Sequence, residues 1–270
     1  MSTREFEISR SVLVGDTANN ELIRAQTVLR NEGINPEVVM EFSVSSEGVF
    51  CGVAETKELL ERILPEAGRE VWALDEGAEC SRKEVVLRVR ASYGSFGIYE
   101  TAIRGMLSSC SGWATGARKC FYAADGIPVV SYGANYVHPS VVGVMDYSAV
   151  IGNCVAGSSL VGSRLNQLTP SGTMPHALVL LIGDTLRSIL AFDRHMPPEV
   201  PRVVLVDTFK DEAEESLIVA DALRDKLRGI RLDTPEERGG VTPHLVNEIR
   251  SRLDESGHNN IDIYVSGGLN

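Results

Sequence analysis

Two rhythms of apolar and polar positions divide this chain. Up to about residue 120, β-branched and partly alternating runs, EVVMEFSV and EVVLRVRASY, flank a helical TKELLERIL. Alternation with period two marks a half-buried strand, and apolar residues every three or four positions mark one face of a helix. Ahead of them, Asp16 or Thr17 is expected to cap a helix running to about Arg30, which Gly33 stops. A long helical stretch, IYETAIRGMLSSCSGWATGARKCFYAA, closes this α+β layer.

From about residue 121 the pattern becomes strand, loop, helix, and repeats. IPVVSYG, SSLVG, RVVLVDTF, GIRLDTP and IDIYVSGG are short and apolar, with amphipathic stretches such as DEAEESLIVADALRDKL and TPHLVNEIRSRLD between most of them. Such alternation implies a parallel sheet with helical crossovers. Five strands are visible where a closed (β/α) barrel needs eight. The expected fold class is α/β: a small α+β layer over residues 1–120, then over residues 121–270 a parallel sheet that is either doubly wound or part of a (β/α) barrel.

Composition narrows the partners. The 270 residues carry a net charge of −11, which disfavours nonspecific nucleic-acid or anionic-membrane binding. The longest clean apolar run, ALVLLI, is too short to span a bilayer, and MSTREFEISR lacks the apolar core of a signal peptide, so a cytoplasmic location is expected. Five dispersed cysteines without a C-x-x-C pair read as reduced packing residues, not as a disulfide or zinc framework.

In parallel α/β folds, ligands bind at the carboxyl ends of the strands. There the chain places Asp207, Thr208 and Lys210 after VVLV, and Asp233 and Thr234 after GIRL, with Arg231 inside that strand. Ser266, Gly267 and Gly268 follow IDIYV. Carboxylates suit a sugar diol or Mg²⁺, and Ser and Gly amides suit a phosphate. Asp-Thr after a strand is also an ordinary helix cap, but three such ends in register favour a pocket for a phosphorylated sugar. In LTPSGTMPHALVLLIGDT, Ser171, Gly172 and Thr173 precede a helix whose first turn holds His176. The other histidines have blander settings: His138 at a strand end, and His195, His244 and His258 near helix ends. The G-x-S-x-G elbow, Walker loop, G-x-G-x-x-G and H-E-x-x-H are absent from the sequence.

SYGSFGIYETAIRGMLSS, VHPSVVGVMDYSAVIGNCVAGSS, PSGTMPHALVLLIGDT, PRVVLVDTFKDE, GIRLDTPEERG and IYVSGGLN resemble nicotinate phosphoribosyltransferase, in order, from about residue 12 onward. The resemblance implies a type II phosphoribosyltransferase that moves phosphoribosyl from phosphoribosyl pyrophosphate to nicotinate in NAD salvage, with Mg²⁺ on the donor and often with ATP hydrolysis. It implies an N-terminal open α+β sandwich over residues 1–120 on a partial, irregular α/β barrel over residues 121–270, and homodimers whose active sites use both subunits. By this resemblance Arg231 and Asp233 hold the ribose and pyrophosphate, and Ser266, Gly267 and Gly268 begin the 5-phosphate site. Ser171 and Thr173 line the same cavity, and His176 matches the histidine that ATP phosphorylates; Asp207 and Lys210 are further candidates that helix capping also explains. Family members run on for roughly a further hundred residues beyond SGGLN, so a truncated chain is expected.

The acceptor side departs from the family. Where members carry TTD-x-YF this chain has DTANNEL, which puts Glu21 and Leu22 in place of the aromatic pair. Where members carry an arginine after FG-x, YGANYVHP offers Asn135 and Tyr136. A second expectation follows from these losses: a non-catalytic relative that serves as a regulatory or hetero-oligomeric partner. Quinolinate phosphoribosyltransferase is less well matched, because a dicarboxylate acceptor needs more basic residues than this side provides.

Overall fold

The computed structural model describes residues 6–267, and its contacts divide the chain into two compact units, residues 1–171 and 172–270. The first unit starts with α1 (Arg10–Leu13) and α2 (Asn20–Asn31). The cap expected at Asp16 or Thr17 is instead Asn19, whose backbone amide donates to Thr101 Oγ1 at 3.1 Å. Gly15, at φ +80°, has already turned the chain out of α1, which leaves residues 16–18 in a turn. At the other end Gly33 adopts φ +68° and Ile34 N bonds Leu29 O, so the helix stops where its glycine indicates.

β1 (Glu37–Ser43), β2 (Gly48–Val49), α3 (Val53–Ile63), β3 (Glu70–Ala73), β4 (Glu79–Cys80) and β5 (Val85–Ser92) follow. β5 lies between β1 and β3 in an antiparallel sheet, and β2 pairs with β4. Alternation along β5 sends Leu87, Val89 and Ala91 into a core with Phe42, Phe50, Leu59, Leu60 and Phe96. The opposite positions, Arg88 and Arg90, ion-pair with Glu41 and Glu37 on the exposed face. After α4 (Tyr93–Phe96), the long α5 (Glu100–Ala123) buries Ile103, Leu107, Cys110 and Ala114 at helical spacing. Next come β6 (Val130–Ser131), α6 (Val142–Ile151), β7 (Ala156–Gly157) and α7 (Leu160–Asn166), with β6 and β7 parallel across the α6 crossover.

SSLVG is therefore not a strand. Ser159 caps α7 by accepting from Gly162 N, and its own amide and hydroxyl donate to the buried Asp146. That side-chain cap outweighs a short apolar run with weak strand character. Four of the cysteines are buried, as packing residues should be, but Cys120 is exposed.

The second unit has α8 (His176–Ile182), α9 (Thr185–His195), β8 (Arg202–Leu205), α10 (Glu212–Leu223), β9 (Leu227–Leu232), α11 (Pro243–Glu255) and β10 (Asp262–Val265). Its sheet is parallel in the order β10-β9-β8, and Met174 adds a parallel bridge beyond β8 at Val204. All four residues of β8 are buried, and Val204, Ile230, Val219, Ile249 and Leu253 form the core between sheet and helices. This is the α/β class expected, with the strand–helix rhythm realised in each β-α-β step. Arg202, buried at the start of β8, donates to Asp193 Oδ1 and to the carbonyls of Asp193, Met196 and Pro197. One guanidinium thus ties the end of α9 to the first core strand. Among the described residues, no helix is long and apolar enough to cross a membrane.

Two stability effects follow. Removing a buried guanidinium strands its acceptors, so Arg202→Met should lower unfolding free energy by about 3 kcal/mol in urea titrations; a loss below about 0.5 kcal/mol would contradict the tie. In the first unit, Gly52 starts α3 at φ +94° without a capping side chain, and Glu76 supplies the cap by accepting from Gly52 N and Val53 N, both at 3.0 Å. Burial, and then the charge of Glu76, push the Glu55 carboxyl up to about 7. Between the ordinary glutamate value and about 7 the folded chain keeps a proton that the unfolded chain has released. Stability should therefore fall as pH rises through that window, with the penalty complete above it. Glu55→Gln should remove this decline and add roughly 2–3 kcal/mol at pH 8. An unchanged slope in denaturant titrations at pH 5 and pH 8 would show that Glu55 is not its source.

Candidate functional site

The carboxyl ends of β8, β9 and β10 converge on one polar network. Arg231 points from β9 with its side chain largely covered, and its guanidinium spans three segments. Nε donates to Ser266 Oγ at 2.9 Å, Nη1 to Thr173 Oγ1 at 3.3 Å and Nη2 to Asp233 Oδ2 at 3.2 Å. The Met174 bridge brings Thr173 to this place by extending the sheet beyond β8. Ser266 Oγ lies 2.8 Å from Asp233 Oδ1 and 2.9 Å from Leu232 O, so its single proton serves one of these acceptors at a time.

Asp207, at the end of β8, accepts the backbone amide of Asp233 on Oδ2 at 2.9 Å, which locks two strand ends together. Its Oδ1 is buried without a hydrogen-bond partner. Burial, the largest influence, raises the Asp207 carboxyl above its ordinary value, against the opposing pull of His176 and of the Asp233 amide. His176 stands opposite. Its Nε2 lies 3.8 Å from Asp207 Oδ1 and 3.7 Å from Asp233 Oδ2, and Nδ1 is 3.0 Å from Thr208 Oγ1. Both distances exceed a hydrogen bond, so the imidazole faces the two carboxylates without bonding either directly.

Gly267 completes the turn after β10 at φ +77°. A Cβ there would lie 2.9 Å from the Asp233 carbonyl carbon and 3.0 Å from the carbonyl oxygens of Asp233 and Thr234. Only glycine allows the β10 turn to pass this close to the β9 turn. Below the site, α10 is capped by Asp211, and its first residue, Glu212, accepts Thr234 Oγ1 at 2.7 Å.

The structure thus brings together Thr173, His176, Asp207, Arg231, Asp233, Ser266 and Gly267. Lys210 is outside this network, ion-paired at 2.7 Å with Glu214 on the solvent side of α10. Ser171 belongs to the first unit, where its amide donates to Gly157 O. So do Glu21, exposed in the first turn of α2, and Asn135, in a 3₁₀ turn. His138 bonds Ser140 through Nδ1, which accounts for it locally. Gly268 lies outside the described residues. Thr208 and Thr234, placed at the strand ends by the sequence but given no role there, and Glu212, which strand-end reading did not single out, border this network through His176 and through each other.

Among the described residues no group of three or more His, Cys, Asp or Glu side chains is arranged to hold a metal ion by itself. Asp207 and Asp233 nevertheless offer hard carboxylate oxygens, one of them unpartnered, which fits a Mg²⁺ that arrives on a phosphorylated ligand and keeps most of its shell from that ligand and water.

Residues 22–111 match the family described as quinolinate phosphoribosyl transferase, N-terminal domain. Nicotinate phosphoribosyltransferases pncB2 and pncB1 of Mycobacterium tuberculosis are similar, at 26% identity over 203 residues and 30% over 190. These matches take in 74% and 68% of this chain but 42% and 41% of the relatives, so the chain spans about two-fifths of their length. The crystal structure of nicotinate-nucleotide pyrophosphorylase from Pyrococcus furiosus superposes with a TM-score of 0.90 at 36% identity, covering 100% of this chain and 70% of that one. Human nicotinic acid phosphoribosyltransferase shares the fold, with a TM-score of 0.75 at 15% identity over 93% of this chain and 68% of that one. At 36% identity over 70% of the Pyrococcus chain, the protein belongs to the type II phosphoribosyltransferase family, which includes nicotinate phosphoribosyltransferases and nicotinate-nucleotide pyrophosphorylases.

Proposed function

We propose that the protein transfers phosphoribosyl from phosphoribosyl pyrophosphate to nicotinate, forming nicotinate mononucleotide for NAD synthesis. The observation that carries this reading is the Arg231–Asp233–Ser266–Asp207 network, which gathers a cation, two carboxylates and a glycine turn at three adjacent strand ends. In the reaction the bond from the ribose anomeric carbon to pyrophosphate breaks as the pyridine nitrogen bonds that carbon. Positive charge grows on the ring and negative charge on the leaving group, so positioning and electrostatics do most of the work.

In this role Asp233 binds the ribose hydroxyls and, with Asp207, faces the growing positive charge. Arg231 holds Asp233 in place and offers its cation toward the phosphates. Ser266 and the backbone at Gly267 receive the 5-phosphate. Mg²⁺, bound with the donor near Asp207 and Asp233, would neutralise the departing pyrophosphate. His176, facing both carboxylates, is the group that ATP would phosphorylate if turnover is coupled to ATP. The enzyme acts as a homodimer in this reading.

Calorimetry with phosphoribosyl pyrophosphate and Mg²⁺, followed by product analysis with nicotinate and with quinolinate, tests the proposal. It expects saturable donor binding and nicotinate mononucleotide from nicotinate. Product from quinolinate alone would reassign the acceptor, and donor binding without product from either would favour a non-catalytic relative. Asp233→Asn should weaken donor binding by about 1.5–3 kcal/mol, the range for a hydrogen bond to a charged group; unchanged affinity would reduce Asp233 to a structural cap. Gly267→Ala should weaken donor binding at least about tenfold, because the close approach of the two turns must open. Wild-type affinity in that variant would place the 5-phosphate elsewhere.

A further inference from the structure

We propose that Thr208 is a positioning residue for His176: its hydroxyl donates to Nδ1 and so keeps the proton of the neutral imidazole on Nε2, the nitrogen that faces Asp207 and Asp233. The contact is direct, with Nδ1 3.0 Å from Thr208 Oγ1. Among the described residues it is the one hydrogen bond that the ring makes, because Asp207 Oδ1 and Asp233 Oδ2 stand farther off, at 3.8 and 3.7 Å from Nε2.

The backbone brings these two side chains together. Met174 bridges Val204 in parallel, and its amide donates to Val203 O at 3.0 Å. His176 follows two residues after that bridge and Thr208 four residues after it, so both segments leave one anchored point and close again through their side chains. On the Thr208 side the turn is fixed by its neighbour, since Asp207 Oδ2 accepts the Asp233 amide. On the His176 side little else holds the ring. Pro175 precedes it in extended backbone, α8 has seven residues, and Val179 is the buried one among them. So short a helix depends on its tertiary contacts, and a roll about its axis would carry the imidazole away from the carboxylates.

Charge then decides which nitrogen carries the proton. A neutral imidazole has one N–H and one lone pair. A lone pair on Nε2 would face two carboxylates, whereas an N–H there is attracted by both. Nδ1 is left as the acceptor, and a threonine hydroxyl is able to donate to it. One bond from Thr208 therefore sets both the orientation of the ring and its tautomer.

The inference rests on the phosphoribosyl-transfer reading only for the use of the ring, which in that reading presents an N–H to the bound ligand; the tautomer is measured on the free protein. Long-range proton–nitrogen correlation spectra of the ¹⁵N-labelled chain, at about pH 8.5 where an ordinary imidazole is neutral, distinguish the two tautomers, and His176→Gln assigns the signals by their loss. The wild-type chain should show His176 as a single Nε2–H species. Thr208→Val keeps the shape and loses the hydroxyl, so it should move these signals toward an average of the two tautomers, and Thr208→Ser should restore them. His258, whose Nε2 lies 3.0 Å from Asp221 Oδ1, should be unchanged in both variants. Where transfer is measurable, Thr208→Val should lower kcat about tenfold, the upper end for one hydrogen bond, with the donor KM unchanged, and Thr208→Ser should recover it. A wild-type His176 that is Nδ1–H, doubly protonated or averaged would overturn the proposal, as would a wild-type pattern in Thr208→Val, whether or not the chain transfers phosphoribosyl.

Discussion

The guanidinium of Arg231 is the constraint on which the strand-end site depends. A strand interior is a poor place for a cation, and the sheet tolerates it because all three directions of the fork meet an acceptor: Ser266, Thr173 and Asp233. These belong to three different segments, so the charge cannot be satisfied unless β9, β10 and the Met174 extension are in register. Asp207 adds the fourth, since its carboxylate receives the amide that begins the turn after β9. The polar pocket and the parallel sheet specify each other in this way. Replacing Arg231 by a lysine would keep the charge but lose the fork, which is what joins the segments.

Much of this was legible in the chain itself. RVVLVDTF, GIRLDTP and IDIYVSGG are short apolar runs followed by small and acidic residues, and each became a strand ending at the site. Residues that act through side-chain caps were harder to read. SSLVG has the composition of a weak strand, yet Ser159 finds Asp146 and starts a helix. Asn19 displaced Asp16 and Thr17 because a distant threonine, Thr101, meets its amide. Neither partner is visible at short range in sequence.

The site showed the same division. Asp207, Arg231, Asp233 and Ser266 stand where strand-end logic puts them, whereas Lys210 turned to Glu214 on the surface. Thr173 joins through a single bridge at Met174, too brief for any periodicity to announce.

The central claim is that the phosphoribosyl donor binds where β8, β9 and β10 end. Hydrogen exchange read by mass spectrometry, with and without phosphoribosyl pyrophosphate and Mg²⁺, tests it most directly. The account predicts slowed exchange in peptides that carry Asp207, Asp233 and Ser266 to Gly267, with little change in those from the antiparallel sheet at Val85–Ser92. Donor binding that leaves all three strand-end turns unprotected would contradict it.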